Sequence, residues 1–249
     1  MANSKKLDSF ESGLFWELYR GMESAFMTFL DYVPFLEGNE TVYSPKLLAL
    51  IQQIGNYVDS AFKEMARYRG FTHNSDCETI RKNKDNSKIV NIGLYRETFE
   101  TPYCLSSAEV EAKVLLKRRR LVPFEEFKQD TSPEWWKIYQ KLKHDLSVHL
   151  PKANLTNTFR ALAGAFVLNV VHIPSALKLI EYGVMKAQIT TDPNAPMMHL
   201  DKYHREMIIK TGQNYSFVVQ TPLFLYKRSQ EFPVTDETLE ETRKLLDKT

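Results

Sequence analysis

Apolar residues recur along the first part of the chain at helical spacing. Phe15, Tyr19, Met22, Phe26, Phe29 and Val33 follow one another at steps of four and three, one stripe of a long amphipathic helix beginning near Asp8-Ser9. Pro34 stops it, because the residue before a proline is driven out of the α region. Gly38-Asn39 marks a loop. Ser44 then stands as an N-cap with Pro45 at the first helical position, where a missing N–H costs nothing. Leu47, Ile51, Ile54, Val58, Phe62 and Met65 form a second stripe, with Gly70 placed to follow its last turn. Two such helices on a short connection predict an antiparallel pair.

The pattern then changes. Residues 70–100 are polar and predict a loop that could hold a short helix. From Val110 to Phe124, Val110, Ala112, Val114 and Leu116 alternate with other side chains at the period of a strand. A third amphipathic helix is predicted from Ser132 or Pro133 to about Leu150, ended by Pro151. A fourth runs from its cap Asn154 to about Val171, stopped ahead of Pro174, and a shorter one from Ser175 to Ala187. Beyond the proline-broken TTDPNAPMM, Tyr215 to Arg228 alternates β-branched and aromatic residues around Thr221-Pro222, a hairpin or edge strand. Thr235 to Lys248 reads as a capped surface helix. The expected architecture is mainly α with a small β hairpin or edge appendage. Residues 1–190 would form the helical bundle, with a polar and β insertion around 70–125. Residues 191–249 would add the hairpin and surface helix to the same domain.

Composition narrows the class without assigning a role. The 249 residues are 43% hydrophobic and 26% charged, which excludes a disordered or fibrous chain. The longest apolar run, Ala161 to Pro174, is broken by Asn169 and His172 and is too short to span a bilayer. No apolar stretch follows the lysines of MANSKKLDSF, so no secretory signal is expected. Cys77 and Cys104 make no disulfide framework, and Cys104 reads as a small buried side chain. Nine glycines supply no phosphate loop. A cytoplasmic protein, off the membrane and without a cofactor, is the expectation.

Charge is unevenly spread. The net is +2, yet residues 1–60 hold four basic against eight acidic residues and residues 61–145 hold seventeen against thirteen. The basic excess gathers at Lys113, at Lys117-Arg118-Arg119-Arg120, and at Lys137, Lys141 and Lys143. Local patches of this kind bind anions even on a near-neutral protein.

The predicted third helix carries the most informative residue. On a helical wheel Trp135, Ile138, Tyr139, Leu142, Leu146 and His149 fall on one side, the core stripe. His144 falls opposite Trp135, sharing its side with Lys137, Gln140, Lys141 and Val148. An imidazole can take a proton from a hydroxyl or return one to a leaving oxygen near neutrality. Neighbouring ammonium groups can offset charge that develops on phosphoryl oxygens. Histidine beside lysines is therefore a pattern suited to phosphodiester chemistry, and equally to a plain solvated helix face.

Other candidates carry less. Arg67 to His73 has an Arg-x(5)-His spacing, but Gly70 is expected to end the helix inside it. His199, Asp201 and His204 lack a regular metal-ligand context, so no metal site is assigned. Glu125-Glu126 fits negative charge at a helix N-terminus. Lys117 to Arg120 is a candidate phosphate-contact strip.

The segments VYSPKLLALIQQIGNYVDSAFKEM and VPFEEF…SPEWWKIYQKLKHDL…LPKANLTNTFRALAGAFVL resemble one branch of the HEPN superfamily. Trp135-Trp136 corresponds to that branch's tryptophan-rich helix start. Tyr139-Gln140-Lys141-Leu142-Lys143-His144 matches its Tyr-Asn-x-x-Lys-His-like core, and Ala153-Asn154-Leu155 the entry to its Ala/Leu helix. The resemblance covers about residues 14–70 and 121–172. It implies an all-α bundle of four to five helices that dimerises. In active members an Arg-x(4–6)-His motif from each subunit lines a groove and cleaves RNA without metal through the ribose 2′-OH. Many act in toxin–antitoxin or antiviral defence systems, and many are non-catalytic.

This chain departs from that motif. The positions for the arginine hold Lys137, Ile138 and Tyr139, and a lysine lacks the planar fork that clamps phosphate. Gln140 replaces a common asparagine, and Leu146 stands where a second basic residue is frequent. The expected function is RNA binding with metal-independent endoribonuclease activity, using His144 as acid–base residue with Lys137 and Lys141 on phosphate. Lys143, Gln140, Lys117, Arg118, Arg119 and Arg120 would contact the nucleic acid. Expected partners are RNA, a protein encoded in the same operon, and a second copy joined through the helices of His144 and Asn154–Val171. The alternatives are a catalytically inactive helical interaction module and a nucleotide- or small-ligand-binding bundle.

Overall fold

Each of the two predicted N-terminal stripes forms a helix, and the two pack on each other. The computed structural model describes residues 13–68, 92–114, 119–172, 175, 178, 179, 181–189 and 215–228. Helix α1 (Leu14–Leu30) buries Phe15, Tyr19, Met22, Phe26 and Phe29, and leaves Val33 half-buried beyond its end. Helix α2 (Pro45–Tyr68) starts where the Leu47 N–H donates to Ser44 Oγ at 3.1 Å, the expected cap. Leu47, Ile51, Ile54, Val58, Phe62 and Met65 are all fully buried.

The polar stretch, predicted as a loop that could hold a short helix, ends in a twelve-residue helix, α3 (Ile92–Tyr103). Its buried residues Ile92, Tyr95, Phe99 and Tyr103 keep helical spacing. Tyr95 and Phe99 stack on Phe62 of α2 at 4.7 and 5.6 Å between ring centroids. Cys104 comes next in a left-handed conformation (φ 48°) and is half-buried, more open than expected.

Val110 to Phe124 is two short strands rather than one. β1 (Val110–Ala112) and β2 (Arg119–Leu121) pair antiparallel, with Glu111 opposite Arg120. Pro123 has no N–H to give a ladder, and a 3₁₀ turn over Glu125–Gln129 takes its place. β3 (Met185–Ile189), β4 (Tyr215–Gln220) and β5 (Phe224–Arg228) complete a five-stranded sheet in the order β2-β1-β5-β4-β3. β4 and β5 are the predicted hairpin around Thr221-Pro222, closed by Thr221 N–H to Phe224 O at 2.8 Å. They are not an edge, since β5 also pairs with β1. β3 overruns the predicted Ser175–Ala187 helix. Gly183 turns left-handed (φ 68°) and ends the helical stretch ahead of Met185.

The predicted third helix is also divided. α4 (Glu134–His144) leads into the single turn α5 (Leu146–His149) and a 3₁₀ turn at Leu150–Lys152. Helix α6 (Leu155–Val171) then runs through the middle of the molecule, capped as expected by Asn154 Oδ1 accepting from Asn157 N–H at 3.0 Å. Every residue from Ala161 to His172 is buried. Phe159 and Phe166 of α6 stack on Phe224 of β5 at 4.9 and 5.5 Å, which fastens the sheet to the helices. On the α1 side Phe26 meets Phe159 and Tyr19 meets Phe166, each at 5.6 Å. The described architecture is thus mainly helical with an antiparallel sheet. Among the described residues no helix is long and apolar enough to cross a membrane. The predicted helix Thr235–Lys248 lies outside the described residues.

Candidate nucleic-acid interface

Helix α4 is held by its tryptophans. Trp135 Nε1–H donates to Pro123 O at 2.7 Å, and its indole meets Phe124 and Trp136 edge to face. The first N–H of the helix, from Glu134, goes to the Glu126 carboxylate at 3.2 Å, the role expected of the Glu125-Glu126 pair. Trp135, Trp136, Ile138, Tyr139 and Leu142 are buried, so the core face is wider than the predicted stripe and includes Trp136. Tyr139 O–H donates to Asn56 Oδ1 of α2 at 2.8 Å. Burial, with the Asp59 carboxylate adding to it, raises the Tyr139 hydroxyl above its ordinary range, so it stays a donor.

The outward face ends in His144, the last residue of α4 and exposed. Lys137, Lys141 and His144 share that face at steps of four and three. Lys141 and Lys143 are exposed and Gln140 is half-buried. Lys137 lies 3.6 Å from Glu134 in an ion pair and is partly committed.

Asp145 breaks the helix. Its backbone leaves the helical region (φ −144°, ψ 87°), and its side chain caps α5 by accepting from Val148 N–H at 3.3 Å. The break rotates the next turn off the wheel of α4. Leu146, predicted in the core, is therefore 46% exposed, Val148 is 65% exposed, and His149 is half-buried rather than buried. The result is an elbow carrying Lys141, Lys143, His144 and, at the end of the 3₁₀ turn, exposed Lys152. Among the described residues none of these three lysines makes an ion pair, and Asp145 is the lone acid from residue 135 to 153.

The elbow continues into the first turn of α6. Asn157 Nδ2 donates to Lys152 O at 2.9 Å. The α1–α2 loop closes on the same turn: Leu155 N–H donates to Val42 O at 2.9 Å, Thr156 Oγ1 to Glu40 O at 3.1 Å, and Tyr43 forms a β-bridge with Asn154. Arg160, one turn beyond Thr156, is exposed, and so is Lys46 at the start of α2.

The other predicted contacts are not gathered here. Arg120 lies on β2, one of the two edge strands, and is 3.4 Å from Glu109 in an ion pair. The side chains of Lys117, Arg118 and Arg119 lie outside the described residues, as do His73, His199, Asp201, His204 and the side chain of Arg67. Among the described residues no group of three or more His, Cys, Asp or Glu could hold a metal ion. Because α6 is buried from Ala161 onward and also at Leu155, Thr158 and Phe159, the stretch offers a partner only Asn154, Thr156, Asn157 and Arg160, which narrows the expected dimer face. Lys152, Arg160 and Tyr43 were not among the predicted contacts; Tyr43 comes to Asn154, two residues from Lys152, only because the α1–α2 loop folds onto α6. No protein-family model matches the chain, and no curated protein or solved structure shows significant similarity to it.

Proposed function

We propose that this chain is a HEPN-like RNA-binding protein whose nucleic-acid surface is the elbow at the end of α4. The observation that carries the reading is the exposure of His144 together with Lys141, Lys143 and Lys152, three cations without ion-pair partners among the described residues, in a stretch from residue 135 to 153 whose lone acid is Asp145. Unpaired ammonium groups favour phosphate, and Lys141 shares the face of His144. On this reading His144 takes the ribose 2′-OH proton or protonates the leaving oxygen, and Lys141 offsets charge on the phosphoryl oxygens. The homodimer, a partner from the same operon, and a defence or toxin–antitoxin setting belong to the same proposal. Exposed Leu146 and Val148 beside His144 supply apolar surface for pairing with a second copy.

A second reading, a catalytically inactive interaction module, is favoured by the positions that would hold the motif arginine. Ile138 and Tyr139 are buried, and Lys137 is paired with Glu134. The deciding experiment incubates purified protein with RNA in EDTA. Cleavage that His144→Ala abolishes supports the endoribonuclease. Salt-dependent retention of uncut RNA supports binding without catalysis. Neither cleavage nor retention leaves the interaction module.

A further inference from the structure

We infer that Tyr43 is a base-stacking platform for single-stranded RNA, set beside the elbow by the α1–α2 loop; this rests on the RNA-binding function proposed for the elbow. Tyr43 is 50% exposed although it sits in a tightly bonded segment. On one side its β-bridge to Asn154 and the Leu155 N–H bond to Val42 O, 2.9 Å, tie it to α6. On the other, Ser44 is the cap of α2, accepting from Leu47 N–H at 3.1 Å. The loop before it is pinned as well: Val42 N–H donates to Asn39 O at 3.0 Å, and Asn39 Nδ2 to Pro34 O at 3.0 Å. The backbone that carries the ring is therefore fixed, and little order has to be gained when a base lands on it.

An exposed aromatic ring on a fixed backbone fits either a nucleobase or an apolar protein side chain. The neighbouring charge favours the nucleobase. Lys46 is three residues along, Lys152 is two residues from the bridged Asn154, and Arg160 stands one turn beyond Thr156 on the loop's side of α6. Against these stand two exposed acids of the same loop, Glu37 and Glu40. Cations that follow a phosphate backbone, with an aromatic face for a base between them, make up the recognition pattern for single strands. The strand would run from Lys141 and Lys143 past Lys152 to Tyr43.

The test is fluorescence anisotropy with a labelled single-stranded RNA, comparing wild type, Tyr43→Ala, Tyr43→Phe and Tyr182→Ala. Tyr182 is also exposed but neighbours Gly13 at the start of α1. Tyr43→Ala should weaken binding about tenfold, the effect of losing one base–aromatic stack, with the salt dependence unchanged because no charge is lost. Tyr43→Phe should keep wild-type affinity, and so should Tyr182→Ala. Salt-dependent binding by wild type that Tyr43→Ala leaves intact would overturn the platform and spare the RNA reading. Absence of binding by wild type would overturn both. Circular dichroism of Tyr43→Ala separates lost stacking from lost folding, and an unfolded Tyr43→Ala passes the decision to Tyr43→Phe and to quenching of Tyr43→Trp fluorescence by RNA. No quenching on addition of RNA that binds would count against the platform.

Discussion

The ring of Tyr139 lies so close to the backbone of Gly55 that a Cβ added there would be 2.2 Å from the ring's Cδ2. This joins α2 to the helix that ends in His144. Gly55→Ala gains helix propensity of about 1 kcal/mol, but it drives a methyl into a rigid ring, and overpacking costs about 1–3 kcal/mol. The ring is further restrained by its hydroxyl bond to Asn56, so it cannot move aside without losing that bond. Overpacking wins: chemical denaturation of Gly55→Ala should show a net loss of up to about 2 kcal/mol. A gain in stability would mean that the ring has room to withdraw from α2.

A second network ties the end of α6 to α2. Asn169, fully buried, donates through Nδ2 to Tyr57 Oη at 2.5 Å and to Ala165 O at 2.9 Å, and accepts from Ser175 O–H at 3.2 Å. Asn169→Leu leaves two hydroxyls without that partner and should cost roughly 2–4 kcal/mol, whereas Tyr57→Phe removes one bond and should cost about 1 kcal/mol. Equilibrium unfolding of both variants and of the double variant gives the coupling. Equal effects of the two single changes would contradict the network.

Glu23 predicts a pH dependence. This carboxyl on α1 is buried and accepts from Tyr19 O–H at 3.1 Å and Leu223 N–H at 3.2 Å. Burial raises its pKa above the ordinary 4.5, although hydrogen bonds from Thr221, Leu223 and Tyr19 and the charge of Lys113 pull the other way. The folded protein thus holds this proton more tightly than the unfolded chain. The stability it contributes is complete below pH 4.5 and is lost as pH rises through the folded value. Glu23→Gln carries no such titration, so wild type should lose stability relative to the variant as pH is raised above 4.5 through the folded value. Thermal melts of the pair across that range check it. A constant difference would show that Glu23 keeps an ordinary pKa when folded.

How far these relationships could be read in advance depended on whether a local pattern carried them. α1, α2 and α6 were legible because their apolar residues repeat over several turns and Ser44 and Asn154 are strong caps. α3 was legible only as a short helix that the polar stretch could hold, since Ile92, Tyr95, Phe99 and Tyr103 are four apolar residues at its end and pack on Phe62. The elbow was half legible. The outward face of Lys137, Lys141 and His144 follows from helical geometry and was predicted correctly. The break was missed because Leu146 and His149 continue the wheel of α4, and the periodicity outweighed the one contrary signal, a capping aspartate inside the run. Tyr43 had no local signal at all, for its place beside Asn154 comes from a loop folding onto a helix more than a hundred residues later.

Asp145 both caps α5 and opposes anions. Asp145→Asn keeps a side-chain acceptor for Val148 N–H while removing the charge, so folding should be nearly unchanged. RNA affinity at low salt should rise by up to about fivefold, the scale of one exposed charge pair in water. Anisotropy titrations of the two proteins at matched ionic strength check this. Weaker binding by Asp145→Asn would place the RNA elsewhere.

Whether the elbow contacts phosphate decides the proposed function, and the salt dependence of RNA binding measures that most directly. Wild type should bind single-stranded RNA with an affinity that falls linearly on a logarithmic salt scale, at a slope of about −0.7 per phosphate contacted. Replacing Lys141, Lys143 and Lys152 together by Gln should weaken binding and make that slope shallower by about 2, three contacts' worth. Binding with the same slope in wild type and the triple variant, or no salt-dependent binding by wild type, would contradict it.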